Sequence, residues 1–225
     1  MMICFDFLNR PIALQTGKIS VLVIENKSCF RKTVRALLSG AAEEENIVLS
    51  EKNKPIKFRS AARLIGNYFA LDYSAHQLKS IYADMAYFCG EEMRQETLEL
   101  SGKISEYLEK LNENFDFDFT YTSELNLQDL FKIKDLKPDQ VCKSSLEALL
   151  DYMLLLQKYS HIKCFILLNL HVFFSQKELS ALYTELLQRS IPVLVLEGNT
   201  CFEPCQQEKY TILDEDLCEI VAEPD

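Results

Sequence analysis

The segment from residue 162 to residue 198 constrains the fold more than any other part of the sequence. It contains an apolar run, "IKCFILLNL", then the amphipathic "SQKELSALYTELLQRS", then a second apolar run, "IPVLVLEG". Apolar runs of this kind are typical of strands buried on both faces. Ser175 and Glu178 have the spacing of a helix capping box. A strand, a helix and a strand in this order predict a βαβ unit with parallel strands and a right-handed connection.

A similar pattern stands near the beginning of the sequence. The run "KISVLVIE" predicts another strand that is buried on both faces. A helix should follow, with Ser28 as its N-cap and Gly40 at its end. The pairs "ICFDFL" with "PIAL" and "NIVLS" with "PIKFRS" predict two hairpins around these elements. Both ends of the chain should therefore contribute to one α/β sheet.

The hydrophobic period changes in the middle of the chain. Apolar residues recur there at helical spacing, first from Leu78 to Cys89 and then from Leu100 to Leu111. The apolar "KSSLEALLDYMLLLQKYS" is expected to form a helix that packs against these two. The sequence therefore predicts a discontinuous α/β head domain, residues 1–60 and 160–225, with an inserted helical leg domain, residues 61–159.

The first strand–helix junction lacks the residues that bind nucleotide phosphates. A P-loop needs G-x-x-x-x-G-K-[ST], because its glycines let backbone N–H groups approach the phosphates. The junction here, "ENKSC" from Glu25 to Cys29, contains no glycine. Asn169 also ends a later apolar strand where an ATPase usually places a magnesium-binding aspartate. ATP hydrolysis is therefore disfavoured.

Charge is distributed unevenly along the chain. The formal net charge of −10 over 225 residues argues against a surface that binds nucleic acid everywhere. Basic residues nevertheless concentrate in three places. These are Lys52, Lys54, Lys57, Arg59 and Arg63; Lys27, Arg31 and Arg35 on one helix face; and Lys132, Lys134, Lys137 and Lys143. A solvated basic surface explains any single lysine equally well.

The acidic and aromatic stretch "NENFDFDFT" is a candidate metal site. If the stretch is extended, alternation places Asp116, Asp118 and Thr120 on one face and three phenylalanines on the other, buried face. Calcium takes about six to eight oxygen ligands and accepts irregular geometry. The acidic face therefore suits calcium, with Glu113 and Glu124 as neighbouring candidates. Exposed acids without a bound ion are the alternative interpretation.

Several segments together resemble a known family. They are "RPIALQTGKISVLVIENKSCFRKTV", "LNENFDFDFTY", "IKCFILLNLHVFFSQKELSALYTELLQRSIPVLVLEG" and "KYTILDEDLCEI". In this order they look like the Csn-type adaptation protein of type II-A CRISPR loci. The resemblance covers most of the chain, and its specificity comes from the combination of segments. It implies a RecA-like α/β head that lacks a P-loop and carries an inserted α-helical leg.

The resemblance also implies a function. Members of this family form homotetrameric rings that bind the ends of double-stranded DNA without catalysis during spacer acquisition, and calcium stabilises the ring. Other CRISPR adaptation proteins, the integrase complex and the effector nuclease, are the implied partners. By position, the implied DNA-binding residues are Lys52, Lys54, Lys57, Arg59, Lys132, Lys134 and Lys137, and the implied metal ligands are Glu113, Asp116, Asp118 and Glu124. The chain has Thr120 where relatives tend to carry a further acid.

Two other functions fit parts of the sequence. A metal-dependent nuclease would use Asp116 and Asp118, since paired carboxylates hold metals for phosphodiester cleavage. A protein-interaction scaffold without DNA contact is the other alternative. His76, His161 and His171 stand beside no serine or cysteine nucleophile motif, so each is interpreted as a solvated or core residue. No apolar run reaches the ~18–20 residues that span a membrane, so we expect a soluble, cytoplasmic protein.

Overall fold

A computed structural model describes residues 1–14, 17–139, 144–200 and 202–222. The strands in these ranges are β1 (Met2–Cys4), β2 (Ile12–Ala13), β3 (Ile19–Ile24), β4 (Val48–Glu51), β5 (Lys54–Ile56), β6 (Ala62–Ile65), β7 (Cys164–Leu168), β8 (Val193–Glu197), β9 (Glu208–Leu213) and β10 (Glu219–Ala222). The α-helices are α1 (Lys27–Ser39), α2 (Phe58–Ala61), α3 (Ala75–Glu91), α4 (Arg94–Asn112), α5 (Leu127–Ile133), α6 (Ser145–Ser160), α7 (Leu170–Phe173) and α8 (Gln176–Gln188). The predicted α/β class is confirmed.

The chain divides into two compact units. The first combines Met1–Leu71 with Lys143–Asp225, and the second is Asp72–Cys142. Helices α3, α4 and α5 lie in the second unit, and the strands lie in the first. The helical leg predicted at residues 61–159 is longer than the second unit at both ends, because β6 and α6 belong to the first unit. Helix α6 packs there against α8.

A six-stranded sheet forms the centre of the first unit, in the order β10-β9-β3-β8-β7-β6. Its strands are parallel except for β10, which pairs antiparallel with β9. The predicted βαβ arrangement is confirmed, since β7 and β8 are parallel neighbours joined through α8. Ser175 and Glu178 form the predicted capping box of α8. Every residue of β3 is buried, as the apolar run predicts.

The two predicted hairpins form a second sheet. Its order is β2-β1-β4-β5, and all its pairings are antiparallel. The expectation that both ends of the chain share one sheet therefore holds for β3 and not for the hairpins. Leu22 and Ile24 of β3 share one hydrophobic core with Ile3 of β1, Leu49 of β4 and Leu37 of α1. The small sheet and α1 thus cover one face of the central sheet.

Helix α8 lies on the opposite face of the central sheet. Val21 and Val23 of β3 alternate with the core residues just named, and they are buried as well. Glu208 of β9 shares their face, because it stands opposite Ile19 in the parallel register. The hydroxyl of Tyr183 in α8 donates a hydrogen bond to Glu208 at 2.7 Å. This face therefore contains a buried carboxylate within an apolar layer.

Helix α1 begins after Asn26, and the prediction of Ser28 as its N-cap is wrong. Asn26 Oδ1 accepts hydrogen bonds from the backbone N–H groups of Ser28 at 3.1 Å and Cys29 at 3.0 Å. Asn26 Nδ2 also donates to the carbonyl of Glu215 at 2.9 Å. The predicted end at Gly40 is confirmed, with a left-handed φ of 73° that glycine adopts without strain.

Replacement of the N-cap gives a direct test of this assignment. We expect Asn26→Ala to lower the free energy of unfolding by about 1 kcal/mol, because two backbone N–H groups lose their acceptor. Urea unfolding at one protein concentration measures the difference. Ser28→Ala is the control and should stay within about 0.5 kcal/mol of the parent protein. Equal losses in the two variants would contradict the assignment.

The second unit buries little of its apolar surface in the single chain. Helix α3 packs against α4 and α5, and Tyr82 donates a hydrogen bond from its hydroxyl to the carbonyl of Leu136 at 2.7 Å. Ile81 and Tyr82 are the buried residues of α3, whereas α4 and α5 bury none. Within the described ranges, no helix combines the length and the apolar character needed to cross a membrane.

Candidate nucleic-acid interface and metal centre

The first set of predicted DNA-binding residues lies on the β4–β5 hairpin and the short helix after it. Lys52 and Asn53 form the two-residue turn, with φ angles of 50° and 61°. Two consecutive positive φ angles are typical of a type I′ turn, which matches the twist of the strands on either side. Lys54 begins β5 and pairs with Glu51 across the hairpin. The backbone therefore fixes Lys52 at the tip and Lys54 next to it.

Lys57 and Arg59 stand on either side of a buried anchor. Phe58 is in the core, and its backbone N–H donates a hydrogen bond to Glu43 Oε1 at 2.8 Å. Both neighbouring cations are exposed. The aliphatic part of Arg59 lies beside Gly40, where a Cβ would stand 3.4 Å from Arg59 Cδ. Burial of Phe58 thus holds two exposed cations on the surface next to the hairpin.

We call Lys52, Lys54, Lys57 and Arg59 the basic hairpin set. All four are exposed, and none forms an ion pair with another residue in the described ranges. The acid of the hairpin, Glu51, is paired with Lys163 at 2.6 Å, and that hydrogen bond lowers the pKa of Glu51. The basic hairpin set therefore presents its positive charge outside any ion pair with the residues described, and only Lys52 of the four is attracted through space to Glu51, which is already paired.

The second set of predicted DNA-binding residues, Lys132, Lys134 and Lys137, lies on and after α5 in the second unit. Lys132 pairs with Asp129 at 2.8 Å, and Lys137 pairs with Asp135 at 2.8 Å. The hydrogen bond to Asp135 raises the pKa of Lys137. Two of these three charges are therefore compensated by nearby acids. Lys143, which the sequence groups with them, lies outside the described residues.

The acidic stretch after α4 is not extended. Residues 113–117 form turns, and the side-chain amide of Asn112 donates to the carbonyl of Phe119 at 2.9 Å. Phe115 and Phe119 contact each other edge to face with ring centroids 5.6 Å apart. Phe115, Phe117 and Phe119 are 54%, 75% and 53% exposed. The predicted alternation with a buried aromatic face is therefore wrong for the single chain.

The candidate metal ligands are exposed on this stretch. Glu113, Asp116, Asp118 and Glu124 all face solvent. Within the described ranges, no group of three histidine, cysteine, aspartate or glutamate side chains is placed to hold a metal ion. Carboxylate oxygens are the ligands that calcium prefers, so the donor chemistry fits calcium. The fold of the single chain does not hold these donors in a preformed site.

The β3–α1 junction is occupied by its own side chains. Asn26 accepts hydrogen bonds from the N–H groups that a P-loop would offer to a phosphate. Glu25 Oε1 accepts a hydrogen bond from the hydroxyl of Thr200 at 2.8 Å. Beside the junction lies a cavity of about 360 Å³, in which Lys32 is paired with Glu45 at 2.7 Å. The junction thus serves as a structural turn.

Comparison with models of protein families gives a match over most of the chain. The model of the CRISPR-associated protein Csn2 matches residues 40–217. These residues include the basic hairpin set, the acidic stretch and the βαβ unit. The chain belongs to the Csn2 family of CRISPR-associated proteins. This match confirms the resemblance found in the sequence. Membership of the family assigns the chain to CRISPR adaptation, and the family is not a known catalytic family.

Two further comparisons were made, with curated proteins and with solved structures. Curated proteins give no match. Among solved structures, cbiO1 from Clostridium perfringens, described as part of the ABC transporter complex cbiONQ, matches with 13% sequence identity and a TM-score of 0.46. The match covers 92% of this chain and 77% of that chain.

The chain also contains a buried ionic cluster that the sequence patterns do not predict. His171 Nδ1 lies 2.7 Å from Glu197 Oε1, and His171 Nε2 lies 2.8 Å from Glu208 Oε1. The three side chains are 2%, 3% and 0% exposed. The ring of Phe202 stacks on the imidazole with centroids 4.1 Å apart. The cluster therefore joins α7, the end of β8 and the start of β9 in the protein interior.

Glu208 has an unusually complete set of hydrogen-bond donors. Besides His171, the hydroxyls of Tyr183 and Tyr210 donate to it, and so does the backbone N–H of Cys205 at 2.7 Å. Burial raises the pKa of Glu208, but hydrogen bonds from His171 and Tyr210 outweigh burial, so its pKa is lowered. Burial also raises the pKa of Tyr183 and of Tyr210. Glu208 is therefore an ionised carboxylate and both tyrosines are neutral donors.

One sequence signal pointed towards this cluster. Glu197 ends the apolar run "VLVLE" in a strand that is buried throughout, and a buried charge needs a partner. His171 stands 26 residues from Glu197 and 37 residues from Glu208, so no local spacing connects the three. The interpretation of His171 as a solvated or core residue did not include this ionic role.

Proposed function

We propose that this chain binds the ends of double-stranded DNA, as a homotetrameric ring, during spacer acquisition, and that it does so without catalysis. The observation that carries the proposal is the basic hairpin set, four exposed cations outside the ion pairs of the described ranges, in a chain of net charge −10. Membership of a CRISPR adaptation family supports DNA as the ligand. Lysine ammonium groups bind phosphates as mobile point charges, which suits contact that is independent of sequence.

The overall acidity of the chain supports binding within a ring. A negative outer surface repels duplex DNA, whereas a local basic surface attracts it. Fourfold repetition would bring four copies of the basic hairpin set around one duplex. A DNA end can enter such a ring by threading, and the remaining acidic surface would oppose binding along the side of the duplex.

The exposed apolar surface of the second unit supports self-association. Met93, which immediately precedes α4, and Leu100 and Tyr107 within α4 are spaced by seven residues. Ile104 follows Leu100 by four residues, and Leu111 follows Tyr107 by four residues. This spacing is typical of a coiled-coil seam. Met93, Leu100, Tyr107 and Leu111 are exposed in the single chain. Contiguous apolar surface of this kind indicates a protein contact, and we propose a second copy of the chain as the partner.

We further propose that calcium stabilises the ring by binding the acidic stretch. Glu113, Asp116, Asp118 and Glu124 supply hard oxygen ligands on one short segment. Because the single chain does not bring three of them together, calcium binding would order this segment or use ligands from a second subunit. The integrase complex and the effector nuclease are the proposed protein partners of the assembled ring.

Light scattering coupled to size exclusion tests the calcium-stabilised ring. We expect the mass of a tetramer with calcium and a smaller mass after chelation. Asp116→Asn with Asp118→Asn should give the smaller mass in both conditions, because two carboxylate ligands are lost. Glu91→Gln with Glu92→Gln removes two exposed negative charges at the end of α3 and should behave like the parent protein. A mass that is independent of calcium would contradict this part of the proposal.

The same proteins distinguish binding from cleavage. We expect linear duplex DNA to remain intact with magnesium or manganese present. DNA fragments that appear with these metals and disappear in Asp116→Asn would instead establish the nuclease alternative. A chain that neither binds nor cleaves DNA, but retains its oligomeric state, would establish the scaffold.

A further inference from the structure

The geometry of the buried cluster determines which groups must donate hydrogen bonds. A neutral imidazole has one N–H donor and one acceptor nitrogen. Both ring nitrogens of His171 face carboxylate oxygens, and an ionised carboxylate only accepts. Glu208 already accepts from Tyr183, Tyr210 and the backbone N–H of Cys205, so it has no role as a donor. His171 Nε2 must therefore carry a proton.

The second ring nitrogen of His171, Nδ1, faces Glu197. Glu197 Oε1 accepts the backbone N–H of His171 at 3.0 Å and lies 2.7 Å from Nδ1 of the same residue. One oxygen atom thus faces two nitrogen atoms of one residue. An ionised Glu197 accepts from both of them, which requires the imidazolium form of His171.

From this geometry we propose that His171 is a buried imidazolium that fastens α7 and the 202–207 segment to the central sheet, and that loss of its proton releases both. On deprotonation the proton passes to solvent base, and one ring nitrogen turns its lone pair towards a carboxylate oxygen. That contact is repulsive, so the imidazole leaves its position between the two acids. Phe202 then loses the ring on which it stacks.

Among the residues that the structure describes, the ionisable groups around His171 favour the charged ring or are neutral donors. Glu197 of β8 and Glu208 of β9 supply the negative charge. Tyr183 of α8 and Tyr210 of β9 donate to Glu208, and Cys205 of the 202–207 segment donates through its backbone. Tyr68 lies near enough to Glu197 for that carboxylate to contribute to its raised pKa, after the larger contribution of burial. Burial lowers the pKa of His171, but the hydrogen bonds and charges of the two glutamates outweigh burial and raise it to about 9.

Two side-chain contacts hold the 202–207 segment independently of His171. Gln176 Nε2 donates to the carbonyl of Pro204 at 2.9 Å, and Gln207 Nε2 donates to the hydroxyl of Ser180 at 2.8 Å. Both partners lie on α8, which the cluster also reaches through Tyr183. These contacts remain when His171 loses its proton. Deprotonation would therefore loosen the 202–207 segment and α7 locally, and the central sheet would stay folded.

Nitrogen NMR of histidine-labelled protein tests the proposal directly. The chain has three histidines, and His76→Gln and His161→Gln identify the signals of the other two. We expect both ring nitrogens of His171 to be protonated at pH 7.5 and to titrate at alkaline pH. The isosteric Glu197→Gln keeps an acceptor oxygen but removes the charge, and it should lower the proton affinity of His171 at least about tenfold. An unprotonated ring nitrogen at pH 7.5, or an unchanged titration in Glu197→Gln, would overturn the imidazolium.

Hydrogen exchange tests the release. Protection factors, corrected for the intrinsic effect of pH, should fall for residues 170–174 and 202–207 over the pH range in which His171 titrates. Residues of β3 should keep their protection and serve as the internal control. Constant protection at 170–174 and 202–207 through the titration would overturn the release.

Discussion

His171→Leu should lower the free energy of unfolding by about 3–5 kcal/mol at pH 7.5, which is the largest loss that we expect from one substitution. The substitution removes the only cation between Glu197 and Glu208 in the described part of the chain, and it leaves two buried carboxylates facing an apolar side chain. Leucine fills a similar volume, so the loss reports the missing charge and donors more than a cavity. Chemical unfolding at one fixed protein concentration measures the difference.

The pH dependence of stability provides the internal check on this prediction. The pKa of His171 is about 9 in the folded protein, above its ordinary value of 6.5. A raised pKa means that the folded state binds the proton more tightly, so this stabilisation is complete below pH 6.5 and is lost as the pH rises through 9. The parent protein should lose stability across this range, and His171→Leu should lose much less. His76→Leu, at an exposed histidine, should match the parent protein. A similar stability for His171→Leu and His76→Leu would contradict the prediction.

Lys52→Glu with Lys54→Glu should weaken binding to linear duplex DNA at least about tenfold at ~100 mM salt, because each chain loses two phosphate contacts and gains two negative charges. The decrease in affinity with rising salt should also become shallower, since fewer counterions are released. Fluorescence anisotropy with a labelled blunt duplex over a salt series measures both quantities. The turn and the strand pairing remain available to glutamate, so unfolding stability should change little.

The control for this prediction reverses the charge of two lysines outside the basic hairpin set. Lys103 of α4 and Lys177 of α8 are exposed, and Lys103→Glu with Lys177→Glu changes the net charge by the same amount. If both double variants lost affinity equally, the effect would come from overall charge and the assignment of the basic hairpin set would be wrong. Unchanged affinity in Lys52→Glu with Lys54→Glu would have the same consequence.

The sequence predicts the parts of this fold that depend on local patterns. The strand β3, the two hairpins, the end of α1 at Gly40 and the capping box of Ser175 follow from apolar runs and short spacings. It does not predict which partner covers a helix, because amphipathicity shows that one face is buried and not what covers it. Helix α6 is an example, since its apolar sequence suits the leg helices and α8 equally well.

The candidate site shows the same limit. The basic hairpin set is visible in the sequence because its members stand within eight positions of each other, and the structure shows them exposed on one hairpin and the helix next to it. The extended form considered for the acidic stretch is wrong, since residues 113–117 form turns and the side-chain amide of Asn112 donates a hydrogen bond to the carbonyl of Phe119. The His171 cluster was not predicted, because its members come together through the order of the strands.

Binding to linear and to closed circular DNA of the same sequence and length, measured at the same salt concentration, tests whether DNA ends enter a ring of this protein. We expect the protein to bind the linear form more tightly, because only a free DNA end can thread through a closed protein ring. A single cut in the circle should restore the affinity of the linear form. Equal affinity for the circle before and after the cut would contradict the binding of DNA ends.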